Sequence, residues 1–213
     1  MSQVGSYQSA SHSHVGMVRQ VNEDACLDIQ EAGLWAVADG MGGHAAGDFV
    51  SNLIIDSLRR IPVEPELPVY LQALRAVLTR VNQAVRDEAA RRGVSMMGST
   101  LVLLAARGSQ ACCIWVGDSR LYRLRDGSLS LLSHDHSYVQ DLVDSGALSE
   151  EEARSHPMGN IVTRAVGAQD DLELAETQLE VRPGDCFLLC SDGLNKTVED
   201  HELQTVLGSQ APY

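Results

Sequence analysis

The sequence LWAVADGMGG at residues 34–43 joins a run of five apolar residues to an aspartate and a cluster of glycines. The apolar run predicts a buried strand, because it is short, carries no charge and ends at turn-forming residues. A second β-like run, ACLDI at residues 25–29, precedes it across a short turn at 31–33. The two runs predict a β-hairpin, and Asp39 then stands at the end of a core strand.

The same arrangement recurs twice along the chain. Asp118 follows CIWVG and Asp192 follows CFLLCS, while Glu23 and Asp24 lie just before the ACLDI run. A carboxylate held at the rigid end of a core strand is costly to desolvate and favours a nearby cation. If the fold gathers these acids with Asp39, they form an oxygen-rich pocket suited to Mg²⁺ or Mn²⁺.

Each aspartate also has a simpler interpretation. Asp39-Gly40 and Asp192-Gly193 are common turn dipeptides, and a single one is usually only a turn. Three strand-terminal cases favour a site, and the glycines around Gly40 would let the backbone approach a ligand and offer it a carbonyl oxygen. The segment is not a phosphate-binding loop of the Gly-Lys-Ser/Thr type, because no lysine follows the glycines.

Two further motifs favour structural roles. The HDH sequence at residues 134–136 lacks the additional ligands of zinc hydrolases, so we interpret it as a structured loop. The five cysteines include Cys186 and Cys190 in a CxxxC spacing without a second pair, and four of the five lie in strand-like apolar runs. We expect core packing rather than metal binding or disulfides.

Periodicity along the chain predicts a layered α+β architecture in one domain, residues 1–213. Apolar residues at helical spacing predict helices at 45–61 and 67–92, shorter ones at 137–145 and 149–155, and a last one from 198 to 207. Closely spaced apolar runs predict an antiparallel meander of four strands between residues 99 and 133, and later strands at 172–181 and 185–193. Meanders combined with paired helices favour helices packed on antiparallel sheet.

Composition limits the classes of function. The 213 residues carry 16 basic and 29 acidic side chains, for a net charge of −13. This balance, without a basic stripe, argues against nucleic-acid binding and against attraction to anionic membranes. No apolar run reaches the roughly 18 residues that a membrane-spanning helix needs, and the polar N-terminus has no secretory signal. We therefore expect a cytoplasmic protein.

Seven short motifs stand in an order that resembles the bacterial members of the PP2C family of metal-dependent protein phosphatases. The resemblance runs from about residue 13 to 207, and DGMGG is closer to the bacterial than to the eukaryotic form. It implies a four-layer sandwich of two antiparallel β-sheets flanked by pairs of α-helices. The motifs are RQVNED (19–24), ADGMGG (38–43), GST (98–100), VGDSR (116–120), DHS (135–137), TRAVG (163–167) and SDGL (191–194).

The resemblance also implies a two-metal site for Mg²⁺ or Mn²⁺. Asp39 would bridge the two ions, Gly40 would offer its backbone carbonyl to one, and Asp192 would bind the other. Glu23 and Asp24 would hold water molecules on the ions. Two such cations activate a shared water and neutralise charge on a phosphoryl group during in-line displacement.

Other implied roles lie around that centre. Asp118 would serve a weaker third ion, and Arg19 would bind the substrate phosphate, since a guanidinium matches phosphate geometry. Residues 137–155 would form a mobile flap beside the site. Met41 replaces the histidine proposed as general acid in eukaryotic members; His44 is a candidate substitute, and a structural role for it is equally open.

The expected activity is hydrolysis of phosphoserine and phosphothreonine in proteins, opposing a bacterial Ser/Thr kinase, by a monomer. One alternative is a catalytically impaired phosphoprotein-binding module. It is favoured by the absence, before Tyr213, of the final Asp-Asn pair that family members carry; the chain would then be either truncated or lacking one metal ligand. A hydrolase of small phosphate compounds is the other alternative.

Overall fold

The computed structural model describes residues 7–17, 20–42 and 46–209 of the chain. Its helices are α1 (Gly47–Arg59), α2 (Leu67–Arg92), α3 (Tyr138–Asp144), α4 (Glu150–Arg154), α5 (Asp192–Asn195) and α6 (Asp200–Gly208). Its strands are β1 (Asp24–Ile29), β2 (Leu34–Met41), β3 (Gly98–Ser99), β4 (Leu101–Arg107), β5 (Gln110–Val116), β6 (Arg120–Arg125), β7 (Ser128–Leu131), β8 (Ala175–Glu180) and β9 (Cys186–Cys190).

The predicted hairpin is confirmed as β1 and β2. The strands pair antiparallel, and a short 3-10 turn at Gln30–Ala32 joins them. Gly33 closes the turn with φ of 50°, in the left-handed region that favours glycine. In this register Asp24 lies opposite Asp39. The hairpin alone therefore places two carboxylates side by side.

The described strands form two antiparallel sheets, with orders β1-β2-β4-β5-β8 and β7-β6-β9, and β3 pairs with β2. The predicted four-strand meander is wrong, because β5 and β6 belong to different sheets. The chain changes sheet at Gly117, whose φ of 103° disfavours other residues. Asp118 follows directly at this crossing between the sheets. The predicted fold class, a sandwich of two antiparallel sheets with flanking helices, is confirmed.

Apolar side chains fill three interfaces between the layers. Helices α1 and α2 pack on the outer face of the first sheet, the two sheets pack on each other, and α6 covers the outer face of the second sheet. The respective residues include Leu34, Ile54, Leu74 and Leu78 in the first interface, Val102, Leu104, Trp115 and Leu121 in the second, and Tyr122, Cys190 and Leu203 in the third.

The long helix α2 has the bounds that the sequence predicted. Pro68 stands in its first turn, where a missing amide hydrogen costs nothing, and Gly93 ends it in the left-handed conformation, with φ of 68°. The short helix α5 was not predicted, since four residues carry no periodicity. Among the described residues, no helix is both long and apolar enough to cross a membrane.

Two glycines bring the end of β2 against the start of α1. A Cβ added to Gly40 would overlap the backbone of Gly47 around its carbonyl group, and a Cβ added to Gly47 would lie 2.6 Å from Glu23 Oε1. Neither position has room for a side chain. The glycines of this region thus allow a close backbone approach, as the sequence indicated.

We expect Gly40→Ala to lower the free energy of unfolding by about 1–3 kcal/mol, the usual cost of forcing a methyl group into packed structure. Chemical denaturation measures the change. Gly208→Ala in α6 is the matched control, because a Cβ there meets nothing within 4 Å. Equal stability of the two variants would contradict the tight packing at Gly40.

Candidate metal centre

The strand ends bring four aspartates into electrostatic contact. Asp39 lies in β2 opposite Asp24, and the negative charges of Asp24, Asp118 and Asp192 all act on it. Burial, then these charges and a hydrogen bond with Asp24, raise the pKa of Asp39 to about 8. The fold therefore brings Asp118 and Asp192 within electrostatic reach of Asp39.

Glu23 and Asp24 are held by the elements around them. The carbonyl oxygen of Glu23 accepts hydrogen bonds from the amide of Gly40 at 3.1 Å and the hydroxyl of Ser51 at 2.6 Å. The hydroxyl of Ser191 donates to Asp24 Oδ2 at 2.9 Å. Since Ser191 follows β9 in the second sheet, this bond joins the two sheets at the site.

The backbone of Asp39 is fixed by a buried hydroxyl pair. Its amide donates to Thr100 Oγ1 at 3.2 Å, and the amide of Thr100 donates to the Asp39 carbonyl at 2.9 Å. The hydroxyls of Thr100 and Ser119 are 2.7 Å apart. Both residues belong to motifs quoted above, GST and VGDSR, but the motifs alone gave them no role. The structure gives them the role of orienting Asp39.

Lys196 is a member of the site that sequence reasoning missed. Its ammonium nitrogen lies 2.6 Å from Asp192 Oδ2 and 3.5 Å from Asp118 Oδ2. Burial raises the pKa of Asp118, and the charge of Lys196 opposes that rise. Burial would lower the pKa of Lys196, but the hydrogen bond to Asp192 and the charges of Asp192 and Asp118 raise it above its ordinary value.

The predicted flap contains α3 and α4 and is fastened at its base. Arg120 and Asp135 form an ion pair at 2.7 Å, and the amide of Tyr138 donates to the carbonyl of Ile161 at 2.9 Å. Asn160, beyond the predicted end of the flap, accepts a hydrogen bond from Lys196 at 2.9 Å. The segment that follows α4 therefore contacts the site directly.

The HDH sequence forms a structured loop, as predicted. His134 Nε2 lies 2.7 Å from Asp144 Oδ2, and His136 Nδ1 accepts a hydrogen bond from the amide of Gly117 at 3.1 Å. The His136 ring also stacks on Trp115. These contacts engage both histidines in supporting the flap and the sheet crossing.

Two predicted residues cannot be placed. Arg19, the expected phosphate ligand, and His44, the candidate general acid, lie outside the described residues. In the parts of the chain that are described, no three acidic, histidine or cysteine side chains already surround one point as metal ligands. Asp24 instead accepts a hydrogen bond from Ser191, and Asp118 and Asp192 form ion pairs with Lys196. Closely spaced carboxylate oxygens are nevertheless suited to a hard divalent cation.

By its fold and its carboxylate cluster, the protein belongs to the α+β sandwiches that carry a candidate site for divalent cations at the strand ends. A comparison with known families makes this specific. Residues 9–210 match the family model described as Protein phosphatase 2C. The chain belongs to that family.

Individual relatives agree with this assignment. The chain is 38% identical to the serine/threonine protein phosphatase PstP of Mycobacterium tuberculosis over 93% of its own length, but it spans only 38% of PstP. It is 34% identical to the serine/threonine phosphatase Stp of Listeria monocytogenes, over 92% of this chain and 81% of Stp.

Among solved structures, PppA is described as a key regulatory component of T6SS in Pseudomonas aeruginosa. It has 65% sequence identity to the chain and a TM-score of 0.91, over 99% of this chain and 87% of PppA. A catalytic domain of PstP in complex with two manganese ions has 36% identity and a TM-score of 0.80, over 94% of this chain and 84% of that domain.

The raised pKa of Asp39 predicts how the metal-free protein responds to pH. Between the ordinary value near 3.8 and the folded value of about 8, the folded chain keeps a proton that the unfolded chain releases. Stability should therefore fall as pH rises through this window, by up to about 1.4 kcal/mol per pH unit from this group. Denaturation in EDTA across pH 4–8 measures the slope.

Asp39→Asn should remove most of this slope, because the variant has no proton to lose at position 39. Asp56→Asn, on the exposed face of α1, should keep it. If the stability of the wild type and of Asp39→Asn varied with pH in the same way, Asp39 would not be the carboxyl group with the raised pKa.

Proposed function

We propose that the chain is a Mg²⁺- or Mn²⁺-dependent protein phosphatase that hydrolyses phosphoserine and phosphothreonine. The observation that carries the proposal is the partly buried Asp39, whose pKa is raised to about 8 by burial and then by the charges of three further aspartates. A scaffold has no physical need to keep mutually repelling acids in its interior. Family membership and relatives named serine/threonine phosphatases support the same reaction.

In this proposal Asp39, the Gly40 carbonyl and Asp192 would hold the two ions, with Asp39 serving both. Glu23 and Asp24 would hold the surrounding waters. When bound, the two ions supply Lewis-acid activation of water and neutralise charge on the phosphoryl group. The oxygen donors and the solved PstP domain with two manganese ions support this assignment.

The protein residues position the groups that would hold the ions and the substrate. Thr100 holds the Asp39 backbone through two hydrogen bonds, so the bridging carboxylate does not reorganise during the reaction. Ser191 orients Asp24 from the second sheet. Arg19 is proposed to bind the phosphate of the substrate through its guanidinium.

The flap favours a protein substrate over a small phosphate compound. Tyr138 on the flap, and Met158 and Ile161 just beyond its end, expose large apolar side chains. The last two lie on either side of Asn160, which contacts Lys196 at the site. Exposed apolar surface beside a charged centre suits contact with a polypeptide segment. We accordingly assign substrate selection to this surface.

The proposal extends to the cellular setting. The substrates are proteins phosphorylated by a bacterial Ser/Thr kinase, and the enzyme acts as a monomeric single domain in the cytoplasm. The net charge of −13 supports a reaction without nucleic acid. The 65% identity to PppA supports a regulatory role of the kind described for that protein.

Phosphate release from a phosphothreonine peptide and from a small phosphate ester tests the reaction. We expect turnover with Mn²⁺, loss of turnover in EDTA, and a preference for the peptide. Asp39→Asn should lower turnover by more than about 100-fold, because this carboxylate is proposed to serve both ions. Removing a group that only supports a metal ligand lowers activity by up to about 100-fold. Asp56→Asn should retain wild-type turnover.

Full activity in EDTA would contradict the metal-dependent mechanism. A folded, Mn²⁺-binding wild type without turnover would support the phosphoprotein-binding alternative. Hydrolysis of the small ester alone would favour the small-phosphate hydrolase.

Arg19→Ala should raise KM for the phosphopeptide, because it removes a charged hydrogen bond to the substrate worth about 1.5–3 kcal/mol. Steady-state kinetics measure the change, with Arg59→Ala, an exposed arginine of α1, as the control. An unchanged KM and kcat in Arg19→Ala would show that another group binds the phosphate.

A further inference from the structure

Lys196 is the single lysine of the 213-residue sequence, and it lies at the candidate metal centre. Its ammonium group has three acceptors: Asp192 Oδ2 at 2.6 Å, Asn160 Oδ1 at 2.9 Å and Asp118 Oδ2 at 3.5 Å. An ammonium group has three hydrogens to donate. The acceptors come from α5, the segment after α4 and the sheet crossing, so one cation joins three separate parts of the fold.

The local backbone directs the side chain to this position. Asp192 begins α5, and Lys196 follows it by four residues, with its amide bonded to the Asp192 carbonyl at 3.0 Å. Residues four apart lie on the same helix face. The lysine side chain therefore returns to the strand end that carries Asp192 rather than extending into solvent.

Asp118 is more deeply buried than Asp24, Asp39 or Asp192, and its side chain is only 6% exposed, so it needs a cation nearby. A buried carboxylate is tolerated when a positive charge is close by. Within the described residues, Lys196 is the basic side chain that forms an ion pair with it. The counter-charge of Asp118 is thus supplied by the chain itself.

The space between Asp118 and Asp192 does not fit a divalent ion while Lys196 is present. Mg²⁺ requires oxygen ligands at about 2.0–2.1 Å and tolerates little distortion. The lysine nitrogen is already in hydrogen-bond contact with Asp192 Oδ2, so an ion bound to both Oδ2 atoms must first displace it. Because a carboxylate has two oxygens, Asp192 keeps Oδ1 for a core ion.

We infer that Lys196 is a built-in monovalent cation that takes the place of a third divalent ion between Asp118 and Asp192. The inference rests on the proposed two-ion function and replaces the expectation that Asp118 serves a third ion. The chain then binds two ions rather than three. Through Asn160, the same lysine holds the segment after α4 against the site independently of metal concentration.

The test counts Mn²⁺ ions by equilibrium dialysis and electron paramagnetic resonance, with a readout independent of turnover. Lys196→Met removes the charge and keeps an unbranched side chain; Lys196→Arg keeps the charge. We expect two ions on the wild type and on Lys196→Arg. Lys196→Met should bind a third ion at least about tenfold more tightly than the wild type does, because the repelling charge is gone.

The double variant Lys196→Met/Asp118→Asn should lose this additional ion, which assigns the new site to Asp118. An equal number of ions on the wild type and Lys196→Met, with affinities within twofold, overturns the inference. Failure of the proposed two-ion function would give a different result, because the two tight Mn²⁺ sites would then be missing from the wild type and from every variant. The difference in Mn²⁺ binding between the wild type and Lys196→Met would still decide the role of the lysine.

A second measurement uses the unaltered chain and so does not depend on the folding of a variant. Labelling lysine with ¹³C at the ε carbon alone gives a single side-chain signal, because the sequence contains one lysine. We expect this signal to keep its chemical shift when Mg²⁺ fills the two tight sites and at a further tenfold excess. Movement of the signal to the position of a solvated lysine in that range overturns the inference.

Discussion

The mutual repulsion of carboxylates at the strand ends is the constraint on which the rest of this structure depends. Asp39 lies partly buried opposite Asp24 and within reach of the charges of Asp118 and Asp192. Like charges in a medium of low dielectric constant are stable together only if protons, cations or hydrogen bonds offset them. The described residues offer all three: a raised pKa that favours the protonated form of Asp39, the Ser191 hydroxyl beside Asp24, and the ammonium of Lys196.

The sandwich makes this crowding unavoidable. Pairing of β1 with β2 sets Asp24 opposite Asp39, and the change of sheet after β5 places Asp118 between the layers. Asp192 arrives from the second sheet at the end of β9. Since the acids come from both sheets, their separation is set by the packing of one sheet on the other, which side-chain rotation cannot relieve. The acidic centre and the fold are therefore energetically linked.

Much of this could be predicted locally. Apolar runs ending in aspartate identified β2, β5 and β9 and the acids that follow them, and helical spacing gave α2 with its observed bounds. The sheet change at Gly117 could not be predicted, because short strands at even spacing fit one meander as well as two sheets. Thr100 and Lys196 were missed for a related reason: their partners Asp39, Asp118 and Asn160 are distant in sequence, and no periodicity encodes such contacts.

A cation attached to the chain differs physically from one bound from solution. Lys196 is present at a fixed ratio of one per chain, so the charge it supplies to Asp118 does not vary with the concentration of Mg²⁺ or Mn²⁺. A monovalent ammonium also leaves the centre more negative than a divalent ion would, which favours the two remaining ions at the proposed core sites. Because the same nitrogen binds Asn160, the segment after α4 is positioned by a covalently tethered group. Metal concentration would then act on the two proposed core ions alone, and the surface proposed to select the substrate would be in place before they bind.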